Sequence, residues 1–173
     1  MLHAPTWRDD DKTDEGRFRQ SVLLDPAVMA AAMPEGSRLL LRLHRNVRER
    51  PTSPGSDFVL DVSDHPDIAD LYLAADALVT DYSSVMFDFA LTDKPVVLLT
   101  PDLDRYRDVE RGFYFDIESA SPGPMVTTTD DVVAALLADD AHAAARARFR
   151  ERFCPWDDGH AADRAVDHLL SLW

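Results

Sequence analysis

The stretch Ala74-Ala75-Asp76-Ala77-Leu78-Val79-Thr80-Asp81-Tyr82-Ser83-Ser84-Val85-Met86-Phe87-Asp88-Phe89-Ala90 decides how this chain is read. Ala77 to Thr80 is a short apolar run bounded by aspartates, too brief for a helix, and it reads as a buried strand. A tight polar turn follows, and Ser84 to Leu91 reads as a helix. In an open α/β sheet, ligands sit outside the carboxyl ends of the strands. A helix start also offers unpaired backbone N–H groups and a positive dipole end, which suit a phosphate. The hydroxyls of Ser83 and Ser84 add donors, enough to hold a diphosphate without a metal. An ordinary helix cap made by Asp81 or Ser83 accounts for the same residues. On these residues alone both readings stand.

Outward from this unit the pattern repeats. Residues 38–43 and 57–62 read as strands, Asp67 to Ala75 as a helix and Pro95 to Leu99 as a strand, with a loop over 46–56. Strands separated by helical segments predict a parallel sheet with crossover helices, an α/β Rossmann-like domain. Asp25-Pro26 opens an earlier helix, with Asp as N-cap and Pro at the first helical position, ending near Pro34-Glu35-Gly36. The opening Met1 to Trp7 reads as the end of a strand running into a loop over 8–17, an abrupt start that predicts further chain upstream. Beyond residue 129 the chain reads as helical: Asp130 to Ala138, capped by Thr129 or Asp130, and then 140–152. A last amphipathic helix carries Val166, Leu169, Leu170 and Trp173 at helical spacing, a face expected to dock on the sheet or on a neighbour. At 173 residues without repeats or a clear linker, one domain is predicted.

The formal charge of −14 argues against nucleic acid, which is held by Lys and Arg on phosphates. Between Arg38 and Arg50, however, five arginines (with Arg42, Arg45 and Arg48) face the single acid Glu49. Such an island suits a small anion, or equally a solvated edge. No apolar run has membrane-spanning length, charged residues occupy the place of a signal peptide's apolar region, and the lone Cys154 predicts a reducing, cytoplasmic setting. His65, His142, His160 and His168 show no ligand spacing, so no metal site is expected.

The run Asp81 to Phe89 resembles the CDP-glycerol:poly(glycerophosphate) glycerophosphotransferase family, the teichoic acid polymerases. Similar blocks are Ala4-Pro5-Thr6-Trp7-Arg8-Asp9, Leu41-Arg42-Leu43-His44, Asp102-Leu103-Asp104-Arg105-Tyr106 with Arg111-Gly112-Phe113-Tyr114, and Asp157-Asp158-Gly159-His160-Ala161, in the family's order along nearly the whole chain. The resemblance implies the C-terminal half of a two-domain GT-B fold. It implies CDP-glycerol as donor, a lipid-linked poly(glycerophosphate) as acceptor, CMP as leaving group, no cofactor, and work at the inner face of the cell membrane. It moves Ser83 and Ser84 from cap to diphosphate site and matches His44 to one of the family's two functional histidines. Arg42 and Arg45 would supply positive charge beside it. Arg8, Arg111, Asp81 and Asp102 are further substrate-site candidates, with Asp102 able to meet ribose or to fix its loop.

Two departures matter. Nothing here corresponds to the family's His-Gly-Thr-Pro segment, which belongs to an N-terminal domain expected to be absent, and Arg45 stands where many relatives carry proline. Three alternatives follow: a non-catalytic CDP-alcohol-binding fragment, a transferase using CDP-ribitol or a UDP-sugar, and a flavodoxin-like interaction domain without nucleotide.

Overall fold

Residues with branched or long apolar side chains on both faces of a strand need cover on both sides, which a parallel sheet between helices supplies. Val96–Leu99 is such a strand, buried at every position. The computed structural model describes residues 1–8, 18–19, 23–44, 47–49 and 57–172, and all structural statements concern these. In chain order they form β1 (Leu2–His3), β2 (Phe18–Arg19), α1 (Pro26–Ala32), β3 (Leu39–Leu41), β4 (Val47–Glu49), β5 (Val59–Asp61), α2 (Ile68–Ala74), β6 (Leu78–Thr80), α3 (Val85–Ala90) and β7 (Val96–Leu99). There follow α4 (Leu103–Arg105), a π-helical turn (Tyr106–Glu110), α5 (Ile117–Ala120), β8 (Met125–Val126), α6 (Thr129–Leu137), α7 (Ala143–Phe153) and α8 (Ala161–Leu170).

Six strands make one parallel sheet in the order β5-β3-β1-β6-β7-β8, and β2 pairs with β4 in a small second ladder. Counted within the main sheet this is 3-2-1-4-5-6, the order of dinucleotide-binding folds, whose ligand crevice opens where the winding reverses. That switch point falls between β1 and β6, which pair in register Leu2–Leu78 and His3–Val79.

Alternation along the strands splits the core in two. Leu2, Leu78, Val96 and Leu98 face Leu71 and Tyr72 of α2, Met86 and Phe89 of α3, and Phe149 of α7. Leu39, Val79, Val97 and Leu99 face Met29 of α1 and Val132 of α6. His3 lies buried among the strands, its Nδ1 2.9 Å from the Val79 carbonyl and its Nε2 without a partner among the described residues. Desolvation lowers its pKa to about 4, so the ring is neutral.

Several expectations are corrected. The expected loop 46–56 contains β4, and its remainder lies outside the described residues, as does most of 8–17. The segment after β7, for which the sequence pattern predicts no element, holds α4, the π-helical turn, α5 and the sixth strand β8. The N-cap of α6 is Thr128, whose Oγ1 accepts from the Asp131 N–H at 3.1 Å. Thr129 instead accepts from the Asp25 N–H at 2.9 Å and ties α6 to the start of α1. Helix α7 begins at Ala143 rather than 140; the Asp140 carboxylate ahead of it accepts from the His142 N–H and holds the buried Arg146. The apolar face of α8 does not dock on the sheet: Val166, Leu169 and Leu170 are more than half exposed. No described helix is long and apolar enough to cross a membrane.

Candidate functional site

The turn after β6 is fixed by a buried aspartate. Asp81 Oδ1 accepts from the Ser83 N–H at 3.1 Å and, across the switch point, from the Thr6 N–H at 2.8 Å. Thr80 adds a second cross-tie, donating its hydroxyl to the Ala4 carbonyl at 2.7 Å. Asp81 is therefore engaged by the turn itself, and α3 starts after Ser84 with no side-chain cap hydrogen bond. The cap reading of Asp81 and Ser83 is not what the chain adopts. Ser83 is half-buried and Ser84 exposed.

Arg8 closes the other side of Asp81. Its guanidinium donates to Asp81 Oδ2 at 2.8 Å, to Asp102 Oδ2 at 2.8 Å and Oδ1 at 3.2 Å, and to the Thr6 carbonyl at 3.1 Å. Tyr82 donates its hydroxyl to Asp102 Oδ1 at 3.0 Å, and the guanidinium carbon sits 5.2 Å from the Tyr82 ring centre and 5.4 Å from that of Tyr106. Tyr82 and Tyr106 stack at 4.0 Å. One cation thus lies between two carboxylates and over two rings, with its own charge matched locally.

The electrostatics follow from burial and pairing. Burial pushes the Asp81 carboxyl up, against the opposing pull of Arg8 and the two amides. Partial burial also works against the Asp102 charge, but Arg8 and the Tyr82 hydroxyl outweigh it and hold that carboxyl below its usual value. Burial first, and then Asp102, push the Tyr82 phenol up. Asp102 is a fixer of its loop in this geometry, both oxygens being engaged.

Beside this network lies a cavity of about 210 Å³ lined by Ala4, Pro5, Arg42, Leu43, His44, Ser63, Ile68, Ser83 and Val85. It brings together three sequence candidates: His44, Arg42 and Ser83. Arg42 donates to the carbonyls of His65 at 2.7 Å and Val62 at 3.4 Å, and among the described residues no carboxylate pairs with it. Its charge therefore remains available, in contrast to that of Arg8. Ser63 accepts from the Leu43 N–H at 3.0 Å and holds the chain entering His44. Ser84 is outside the cavity lining, and Arg45 lies outside the described residues.

Arg111 reaches the same edge by another route. Its guanidinium carbon lies 4.4 Å from the centre of the Trp7 ring, and Trp7 lies 5.8 Å from His44, ring centre to ring centre. Sequence reasoning missed the aromatic floor of Tyr82, Tyr106 and Phe113, because its members meet only in three dimensions. Asp104 is exposed and pairs with Arg107 at 2.7 Å, a solvated helix pair. Among the described residues no three His, Cys, Asp or Glu side chains are grouped to hold a metal ion.

The family model described as CDP-Glycerol:Poly(glycerophosphate) glycerophosphotransferase matches residues 1–171. The chain is 44% identical to a teichoic acid glycerol-phosphate transferase of Staphylococcus aureus (strain NCTC 8325 / PS 47), over 98% of this chain and 44% of that protein. It is 37% identical to a teichoic acid poly(glycerol phosphate) polymerase of Bacillus subtilis (strain 168), over 98% of this chain and 24% of that protein. The solved wall teichoic acid polymerase TagF superposes with a TM-score of 0.84 at 31% identity, over 98% of this chain and 43% of that one. The chain thus corresponds to less than half the length of these relatives. By the family match along almost its whole length, with the same fold in a solved relative, this chain belongs to the CDP-glycerol:poly(glycerophosphate) glycerophosphotransferase family.

Proposed function

We propose that this chain is the donor-binding domain of a CDP-glycerol glycerophosphotransferase, the C-terminal half of a GT-B enzyme. The observation that carries the reading is the cavity at the switch point, where His44, Arg42 and Ser83 converge beside the Ser83–Ser84 turn. A TagF variant soaked with CDPG superposes on the chain with a TM-score of 0.83, which supports the same ligand class here.

In this reading the hydroxyls of Ser83 and Ser84 hold the donor diphosphate, while the Ser83 N–H stays on Asp81. Arg42 supplies a charge with no carboxylate partner among the described residues, with Arg45 next to His44 in sequence. The terminal hydroxyl of the acceptor attacks the β-phosphorus. An O–P bond forms, the bond from that phosphorus to the bridging oxygen breaks, and CMP leaves with the electron pair. The hydroxyl proton passes to a base or a phosphate oxygen, and His44 is the group placed to relay it or to hydrogen-bond the transferring phosphoryl. Asp81, Arg8 and Asp102 act by shaping the turn. A lipid-linked poly(glycerophosphate) acceptor and a second domain carrying the other histidine complete the reaction, at the inner membrane face.

Calorimetric titration with CDP-glycerol, CDP-ribitol, CMP and UDP-GlcNAc tests the assignment. CDP-glycerol should bind most tightly, and the Ser83→Ala/Ser84→Ala double variant should lose that binding while keeping its circular dichroism spectrum. Unchanged affinity in the double variant would remove the diphosphate assignment. Preference for CDP-ribitol would reassign the polyol, a live comparison because a ribitol-phosphate primase of Bacillus spizizenii (strain ATCC 23059 / NRRL B-14472 / W23) is 32% identical.

A further inference from the structure

Trp7 sits in the segment that leaves β1 at the carboxyl edge, and its two neighbours are both tied down. The Thr6 N–H is held by Asp81 at 2.8 Å, and the Arg8 side chain is clamped between Asp81 and Asp102. The indole packs on the buried cluster of Leu41, Leu43 and Val47. It is therefore a ring with a fixed backbone and an apolar footing.

Two polar groups approach this ring. The Arg111 guanidinium carbon stands 4.4 Å from its centre, a cation–π distance, and the His44 ring lies 5.8 Å away, tilted by 42°. Arg111 is delivered by the π-helical turn: the N–H groups of Arg111 and Gly112 both donate to the Tyr106 carbonyl, at 3.1 and 3.0 Å. Gly112 has φ +69°, and a Cβ there would lie 3.2 Å from the Arg107 carbonyl oxygen, so the turn is specific to glycine. A π-turn in this position often marks a functional segment. His44 lines the cavity with Arg42 and Ser83.

We propose that Trp7 is a positioning residue for this site, its indole holding the Arg111 guanidinium and the His44 imidazole in fixed relation at the mouth of the cavity. The inference rests on the donor-site reading above and adds to it a residue that touches neither phosphate nor hydroxyl. Long arginine side chains lose rotamer freedom when fixed, and a stacking surface lowers that cost at the moment of binding. The imidazole gains a wall that limits its rotation about χ1 and χ2 and keeps one ring edge toward the cavity.

The test separates packing from positioning. Trp7→Leu keeps an apolar side chain on Leu41, Leu43 and Val47 but has no π face; Trp7→Phe keeps a smaller face. In this chain, Trp7→Leu should retain a thermal midpoint close to the parent's, shift the His44 ring resonances in NMR spectra of the ligand-free protein, and weaken CDP-glycerol about tenfold. Trp7→Phe should recover most of the affinity and the parent-like resonances. Unmoved His44 resonances in Trp7→Leu would overturn the proposal, as would parent-like affinity in that variant. If Trp7→Leu fails to fold, Trp7→Phe decides alone, and His44 resonances shifted as far as on removal of the Arg111 guanidinium in Arg111→Gln would count against it. If the unmodified chain binds no CDP-glycerol, the donor reading fails on its own, and the His44 resonances still judge the role of Trp7.

Discussion

The two edges of the main sheet make an instructive pair. At the amino edge lies a cavity of about 700 Å³, lined by Met1, Met33, Arg38, Leu40, Leu60 and Leu136 among others. At the carboxyl edge the cavity holding His44, Arg42 and Ser83 is about 210 Å³. Each edge also has an arginine bound to carboxylate: the buried Arg146 to Asp140 below, the partly buried Arg8 to Asp81 and Asp102 above. What separates them is the direction of the helices. Helix C-termini arrive at the amino edge, and their carbonyls need a cation: Lys94 Nζ donates to the carbonyls of Tyr72, Leu73 and Ala75 at 3.1, 2.8 and 2.8 Å. Helix N-termini leave from the carboxyl edge, where the Ser83–Ser84 turn offers donors and Arg42 keeps its charge. The amino-edge cavity is lined by Asp76, Asp139 and Asp140 together with Arg38 and Arg146, the last paired with Asp140. The two cavities differ in which helix ends face them.

That contrast can be broken experimentally. The largest effect belongs to Arg8→Met, which strands Asp81 in the interior without its cation; a loss of about 3–5 kcal/mol in urea unfolding is expected. A variant as stable as the parent would mean that the carboxyl edge is not held together by this triad. Next comes His3. Its pKa falls from 6.5 in the unfolded chain to about 4 in the fold. The unfolded chain therefore binds the proton preferentially between those values. The stability from the neutral ring is fully present above about pH 6.5 and declines by about 3 kcal/mol on reaching pH 4. Asp81, whose pKa is raised, acts with the opposite sign, so the comparison is with His3→Leu, in which this share of the decline should vanish.

Lys94→Met should cost about 1–2 kcal/mol by exposing the end of α2 uncapped, with CDP-glycerol affinity unchanged. The smallest effect is expected of Leu136→Trp, which fills part of the amino-edge groove and should leave CDP-glycerol titration as in the parent chain. A marked drop in affinity in either variant would place a ligand below the sheet and not above it.

The sequence read well where local pattern and burial agree. Ala77 to Thr80 and Pro95 to Leu99 are apolar runs bounded by Asp or Pro, and they fold as β6 and β7. Strand β8 escaped because two residues after Pro124 carry no period. The site was legible as a set of residues but not as a set of roles. Arg8 and Arg42 look alike in sequence, each near the end of an apolar strand. Their difference comes from partners far along the chain: Asp81 and Asp102 lie 73 and 94 residues from Arg8. Pairing over such distances leaves no local trace. Helix α8 was read correctly as amphipathic, but its apolar side remains in solvent, since periodicity reports a face and not what covers it.

One small feature has a mechanical corollary. Because a single carboxylate oxygen of Asp81 receives both the Thr6 and the Ser83 amides, the segments leaving β1 and β6 are yoked. A load on the serine turn is felt at once by the stretch bearing Trp7, and through it by His44. The two lips of the crevice are tied through one atom, so displacing either one strains a hydrogen bond of the other.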